Sequence, residues 1–203
     1  MRRFSTRTLL AAASAALAAV LLIAGGLALW GSAYVHNTVQ GQLASQQIFF
    51  PPAAAFAHPK AGSEITPSMI PSVSQYAGQQ MLTGQQAEAY ADHFIAVHIQ
   101  NMAGGKTYSQ LSAESLAQPT NTTLASTVGT VFKGETLRSM LLNAYGWWKV
   151  SQIVYIVSLV LFGLGTVAGL GAAYLVTFGR RPRGTRQVAQ PSGHEEITPT
   201  TIA

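Results

Sequence analysis

The chain has 203 residues, of which 48% are hydrophobic and only 9% charged, and its formal net charge is +5. It contains no cysteine, which excludes disulfides, thiolate catalysis and metal sites held by cysteine. The basic excess lies at the two ends of the chain and not on one folded face, which argues against binding to nucleic acid.

The first predicted element is a membrane-spanning helix. A basic N-terminus, residues 1–8, precedes residues 9–35, which carry no charged side chain. A helix of that length measures roughly 40 Å and exceeds the hydrocarbon core of about 30 Å. A cleavable signal peptide is the main alternative, but its apolar region has only ~7–15 residues, so we expect a retained signal-anchor. A small-residue row on this helix would let another helix approach closely: Ala11, Ala15 and Ala19.

Residues 36–149 are predicted to form a small domain, mostly helical from residue 72. Prolines recur over residues 46–71, which favours extended chain packed by aromatic and aliphatic side chains. Those side chains are Ile48, Phe49, Phe50 and Phe56.

Three helices are then predicted. Thr83 and Gln86 fit a capping box, which predicts a helix over about 84–103, ended by two glycines. A shorter helix is predicted over about 108–117. A third begins at Thr122 or Thr123, and because no proline separates it from the next apolar stretch, it should continue into the membrane as one long helix.

Residues 150–178, again without a charge, form the second predicted span, and residues 179–203 a disordered tail. This span carries four small positions for helix packing, of which two form a GxxxG pattern: Gly163, Gly165, Gly169 and Gly171.

The distribution of charge predicts the orientation. Arginines flank both spans on their outer sides, whereas the segment between them has equal numbers of basic and acidic residues. We therefore expect a two-span protein of a bacterial plasma membrane, with both termini cytoplasmic and the central domain outside. Aromatic residues predict an interfacial belt at one level: Trp30, Tyr34, Tyr145, Trp147 and Trp148.

Catalytic chemistry has weak support. The cluster with metal-ligand residue types is Glu88, Asp92, His93 and His98. The histidines are five residues apart, which separates them by ~140° around a helix, so we predict no metal site there. The segment Gly104–Thr107 lacks the first glycine of a P-loop and follows a helix, which argues against nucleotide binding. No nucleophile motif is present either, so we expect no cofactor and no enzyme activity.

Four segments carry a family resemblance: QQIFFPP near residue 50, QYAGQQMLTGQQAEAYADHFIAVHI from 75, GGKTYSQLS from 104 and FKGETLRSMLLNAYGWW from 132. They resemble an uncharacterised family of small actinobacterial membrane proteins with the same two-span layout, over roughly residues 9–178. Some relatives bear an automatic label of aromatic ring-opening dioxygenase, which we do not carry over. The resemblance implies a mainly α, membrane-embedded fold and no activity.

Three functions remain open. The first is a non-enzymatic envelope protein whose outer domain contacts a membrane-protein partner or a second copy. The alternative is an extracytoplasmic ligand-binding or sensing module, and the third is a metal-dependent enzyme at residues 88–98. Beyond the lipid bilayer, no partner is identified by a motif.

Overall fold

Two long helices dominate the computed structural model, which describes residues 5–59 and 64–178. Helix α1 spans Thr6–Ser45 and helix α7 spans Thr122–Thr177. Both are long and apolar enough to cross a membrane. The continuous α7 confirms the prediction that the third helix of the central segment runs on into the second apolar stretch. The predicted disordered tail and the basic residues before Ser5 lie outside the described residues.

Helices α1 and α7 pack antiparallel along a seam of small side chains. A Cβ built on Gly169 would lie 3.8 Å from Ala18, and at the other end Ser32 Oγ donates a 2.7 Å hydrogen bond to the Ser151 carbonyl. The buried small residues recur at every seventh position on both helices. They are Ala11, Ala18, Gly25 and Ser32 on α1, and Ser151, Ser158, Gly165 and Ala172 on α7. A repeat of seven is the pattern of two helices that cross at about 20°.

This seam uses only part of the predicted packing residues. Ala11, Gly165 and Gly169 face the partner helix. The remaining predicted positions, Ala15, Ala19, Gly163 and Gly171, are exposed. The GxxxG pair Gly165 and Gly169 therefore lies in the seam, whereas Gly163 and Gly171 are each two residues, or about 200°, away from it, and on α1 the seam passes through Ala18 and Gly25.

The chain between the long helices is less extended than predicted. Residues 46–71 contain helix α2, Ala53–Ala57, and the start of helix α3, Ile70–Val73. Pro52 is the N-cap of α2 and Pro71 lies in the first turn of α3. A proline at a helix start loses no intrahelical hydrogen bond, which is why these prolines begin helices instead of preventing them. A 3-10 turn, Ser74–Tyr76, follows, and an isolated bridge pairs Phe49 with Gln80.

The next segment is one helical run in three parts. Helix α4, Gly84–Tyr90, continues through a π-helical turn, Ala91–Ile95, into helix α5, Ala96–Met102. The predicted capping box is present, since the Thr83 hydroxyl accepts from the Gln86 N–H while the Gln86 side chain accepts from the Thr83 N–H. Gly104 and Gly105 have positive φ values of 60° and 76°, which ends the run as predicted.

Helix α6, Tyr108–Ala117, also confirms its prediction and starts with a second capping box. Helices α4, α5 and α6 all pack on the first half of α7. Their shared core contains fully buried side chains from the connecting segment and from α7: Met69, Val73, Met81 and Val131. A helical cap therefore sits on the adjoining ends of α1 and α7.

Candidate interaction and binding sites

The predicted acidic and histidine cluster is divided between structural contacts. Asp92 accepts a 2.8 Å hydrogen bond from Arg138 on α7, and Glu135 lies 3.5 Å from the same guanidinium. The hydrogen bond to Asp92 raises the pKa of Arg138, so the guanidinium group stays charged at any physiological pH. Asp92 thus ties the π-helical turn to α7.

His98 belongs to a column of rings on the same helical run. The ring centroids of Tyr90 and Phe94 are 4.7 Å apart, and those of Phe94 and His98 are 4.6 Å apart. His98 Nδ1 donates to the Phe94 carbonyl at 2.7 Å, because a carbonyl oxygen only accepts. Within residues 5–59 and 64–178, no three or more of the His, Asp and Glu side chains form a group that could hold a metal ion. Glu88, Asp92, His93 and His98 are therefore not brought together.

A cavity of about 410 Å³ lies beside this column, between α4–α5 and α7. Its polar lining comes from Glu64, Tyr90, His98 and Lys133, and Phe94 and Ile99 are among its apolar walls. Burial, and second the charge of Glu64, raise the pKa of Tyr90 above its usual 10.0. Its phenol is therefore a neutral hydrogen-bonding group near neutral pH.

The first half of α7 also has a face with exposed apolar side chains, which α6 and α1 cover only in part, since Phe132 contacts the Tyr108 ring and Trp147 borders Tyr34. Phe132, Met140 and Trp147 are more than half exposed, at 54%, 64% and 53%. At 100° per residue these three side chains fall within about 80° of one another. Gly129 and Gly146 lie on the same side and have open space around them. The apolar pattern that predicts this helix places Phe132 and Val131 in one stripe, although Val131 is buried and Phe132 is exposed. For that reason the pattern did not reveal this second face.

A lateral groove of about 510 Å³ lies between α1 and α7 at the level of the predicted aromatic belt. The ring of His36 lies against that of buried Trp148, with centroids 4.0 Å apart, just beyond the hydrogen bond that joins Ser32 to Ser151. The groove is lined by residues from both helices, including Asn37, Gln152 and Tyr155. Sequence reasoning missed this site, although Asn37 and Gln152 are amides at the ends of otherwise apolar stretches.

No family model, curated protein or solved structure matches the chain. The fold alone therefore defines the class of protein. It is a mainly helical chain with two helices long and apolar enough to cross a membrane and a helical cap on their adjoining ends.

Proposed function

We propose that the protein is a non-enzymatic accessory subunit of the bacterial cell envelope, which holds a membrane-protein partner against the first half of α7. In this proposal the two apolar helices span the plasma membrane, both termini are cytoplasmic and the helical cap lies outside. The arginines at the two ends support that orientation, because positive residues are retained on the cytoplasmic side.

This partly covered face of α7 carries the proposal. Its exposed side chains are one phenylalanine, one methionine and one tryptophan, which are residue types enriched at the centre of protein interfaces. The small residues between them let a second helix approach closely. Because α7 is continuous from Thr122 to Thr177, a partner helix could follow it from the cap into the membrane.

The polar residues of the cap support a structural role. Asp92 is held by Arg138, and His98 is fixed by the Phe94 carbonyl and by its place in the ring column. These contacts stabilise the helical run and its packing on α7.

A ligand-binding or sensing module is the second candidate, and the cavity beside Tyr90 favours it. Its volume of about 410 Å³ falls in the range of small-molecule sites, and its walls combine apolar and polar groups. π-Helical turns occur often at functional sites, and one lies in this wall. Ligand screening against the purified full-length protein, with a Met102→Trp variant to fill the cavity, tests this candidate.

Site-specific photocrosslinking in native membranes tests the partner. A photoreactive amino acid at Met140 or Trp147 should give a discrete crosslinked product, whereas the same group at Leu116 on α6, which is 81% exposed, should not. The Met140→Glu substitution should abolish the product formed at Trp147, while Leu116→Glu leaves it intact. Equal crosslinking at all three positions, or none at α7, would contradict the proposal. A product of twice the chain's mass would identify a second copy as the occupant.

Orientation is tested separately with reporter fusions. A reporter that functions only outside the cytoplasm should be active when it is inserted near Leu116 and inactive when it is fused after Ala203. The reverse pattern would place the cap in the cytoplasm and would refute the proposed topology.

A further inference from the structure

The groove between α1 and α7 has polar groups at one end and apolar groups at the other. Residue numbers rise toward the cap in α1 and fall toward it in α7. The depth of each lining residue, measured from the cap, therefore follows from its residue number. His36 and Asn37 lie nearest the cap, Ala33 and Gln152 lie beside the contact between Ser32 and Ser151, and the deepest lining residues are Leu29, Tyr155 and Ile156. Ser32 and Ser151, joined by their hydrogen bond, close the groove between the helices.

Three of the polar side chains in this groove have no protein partner. Among the described residues, nothing forms a hydrogen bond with the side chains of Asn37, Gln152 or Tyr155. At the edge of a bilayer an amide or phenol without a partner is costly. Amide N–H groups need acceptors, and in the glycerol region of a bilayer the available acceptors are the ester carbonyls of lipids and water.

A cation lies one helical turn above the Gln152 amide and close to the level of Asn37. Lys149 precedes Gln152 by three residues and therefore shares its face of α7. Its ammonium group is 5.6 Å from the centre of the Tyr145 ring and makes no ion pair with a described carboxylate. From the cap inward the groove thus presents Asn37 and the Lys149 cation, then the Gln152 amide, and then the apolar side chains of Leu29 and Ile156 beside the Tyr155 phenol.

We propose that this groove binds one phospholipid from the leaflet that adjoins the cap. Its phosphate lies near Lys149 and accepts from Asn37, an ester carbonyl accepts from Gln152, and one acyl chain follows Leu29 and Ile156 inward. The chemical order of a phospholipid, from phosphate to ester to hydrocarbon, matches the order of the groups on the protein. The site requires the two helices to span the membrane but does not depend on a protein partner at the other face of α7.

Native mass spectrometry of the full-length protein in detergent tests the site with two lipids that differ in the phosphate. Dioleoylphosphatidylglycerol should remain bound at about fivefold higher occupancy than dioleoylglycerol, since one lysine near a phosphate contributes roughly that factor. Lys149→Met should remove this preference, and Gln152→Leu should lower the occupancy of both lipids. Ala33→Trp, which places a large ring in the groove, should abolish the bound lipid.

Matched controls carry the same chemical changes elsewhere. Lys133→Met removes a lysine from the cap, and Asn143→Leu removes an amide on the other side of the helix pair, beside Tyr34 and Trp147. Both variants should retain the wild-type lipid pattern. Equal occupancy of the two lipids in the wild type, an unchanged signal in Ala33→Trp, or a loss in Lys133→Met as large as that in Lys149→Met would each overturn the proposal.

Discussion

The contact between Gly84 and Trp148 makes the helical cap sensitive to a single methyl group. Gly84 is the first residue of α4, and a Cβ built there would lie 2.3 Å from Trp148 Cβ and 2.4 Å from Trp148 Cγ. These atoms are next to the backbone of α7, so rotation of the side chain cannot remove the overlap. Trp148 is only 5% exposed and packs against His36, which leaves it no free space. We therefore predict that Gly84→Ala separates α4 from α7.

The size of the effect follows from two opposing terms. Overpacking a buried contact costs about 1–3 kcal/mol, and the upper end applies because neither Cβ can move independently of its helix. Replacing glycine by alanine in a helix returns about 0.5–1 kcal/mol. The net loss is about 2 kcal/mol, which corresponds to a fall of roughly 10 °C in the unfolding midpoint of a domain of this size.

The assay is thermal unfolding of the full-length protein in detergent, followed by near-ultraviolet circular dichroism. Gly129→Ala is the matched control, because Gly129 is also helical but would have nothing within 4 Å of its new methyl group. That variant should unfold at the wild-type temperature or slightly above it. A Gly84→Ala midpoint within about 2 °C of the wild type would refute the close packing of α4 on Trp148.

Three further predictions concern the cap. Asp92→Asn should lower the free energy of unfolding, measured with denaturant, by about 0.5–1 kcal/mol, because the ion pair with Arg138 is partly exposed to solvent. Salt screens such a pair, so a loss that grows with added salt would contradict its electrostatic origin. Gln86→Leu should cost about 2 kcal/mol, because the buried amide accepts from two backbone N–H groups at 2.7 and 3.0 Å, and an unchanged midpoint would exclude that role. The pKa of Tyr90 is raised above 10.0 in the folded state. The neutral phenol therefore contributes to the free energy of unfolding below pH 10.0, and this contribution is lost as the pH rises through the pKa of the folded state. Tyr90→Phe should therefore lose less stability than the wild type above pH 10.0, and parallel pH profiles of the two would refute the assignment.

The helices of the cap could be predicted because their boundaries depend on local chemistry. Thr83 and Gln86 form their capping box within four residues, and Gly104 ends the run through its own backbone conformation. The π-helical turn at Ala91–Ile95 could not be predicted in this way. A π-helical turn contains one extra residue, and tertiary contacts are needed to stabilise it. Here the contact is the hydrogen bond that Asp92 accepts from Arg138, which is 46 positions away in sequence.

The packing of the two long helices was harder to predict for a different reason. In α1 more than half of the positions are alanine, leucine or glycine, so apolar residues occupy all faces and periodicity does not select one. Ala15 and Ala18 are equally small in sequence, yet only Ala18 is buried. The choice depends on the crossing angle with α7, which is a property of the helix pair and not of either sequence alone.

The same argument explains where the groove lies. Along the seam the facing residues are alanine, glycine and serine, which let the backbones approach closely, and the last of these small contacts joins Ser32 to Ser151. One turn further toward the cap the facing side chains are the rings of His36 and Trp148, which need more room than a methyl or hydroxyl group. The groove lies beside these rings and beside the contact between Ser32 and Ser151, with Asn37 on the cap side of that contact and Gln152 on the other side. The groove thus lies where the seam changes from small to large side chains, which in the proposed topology is the level of the lipid ester groups.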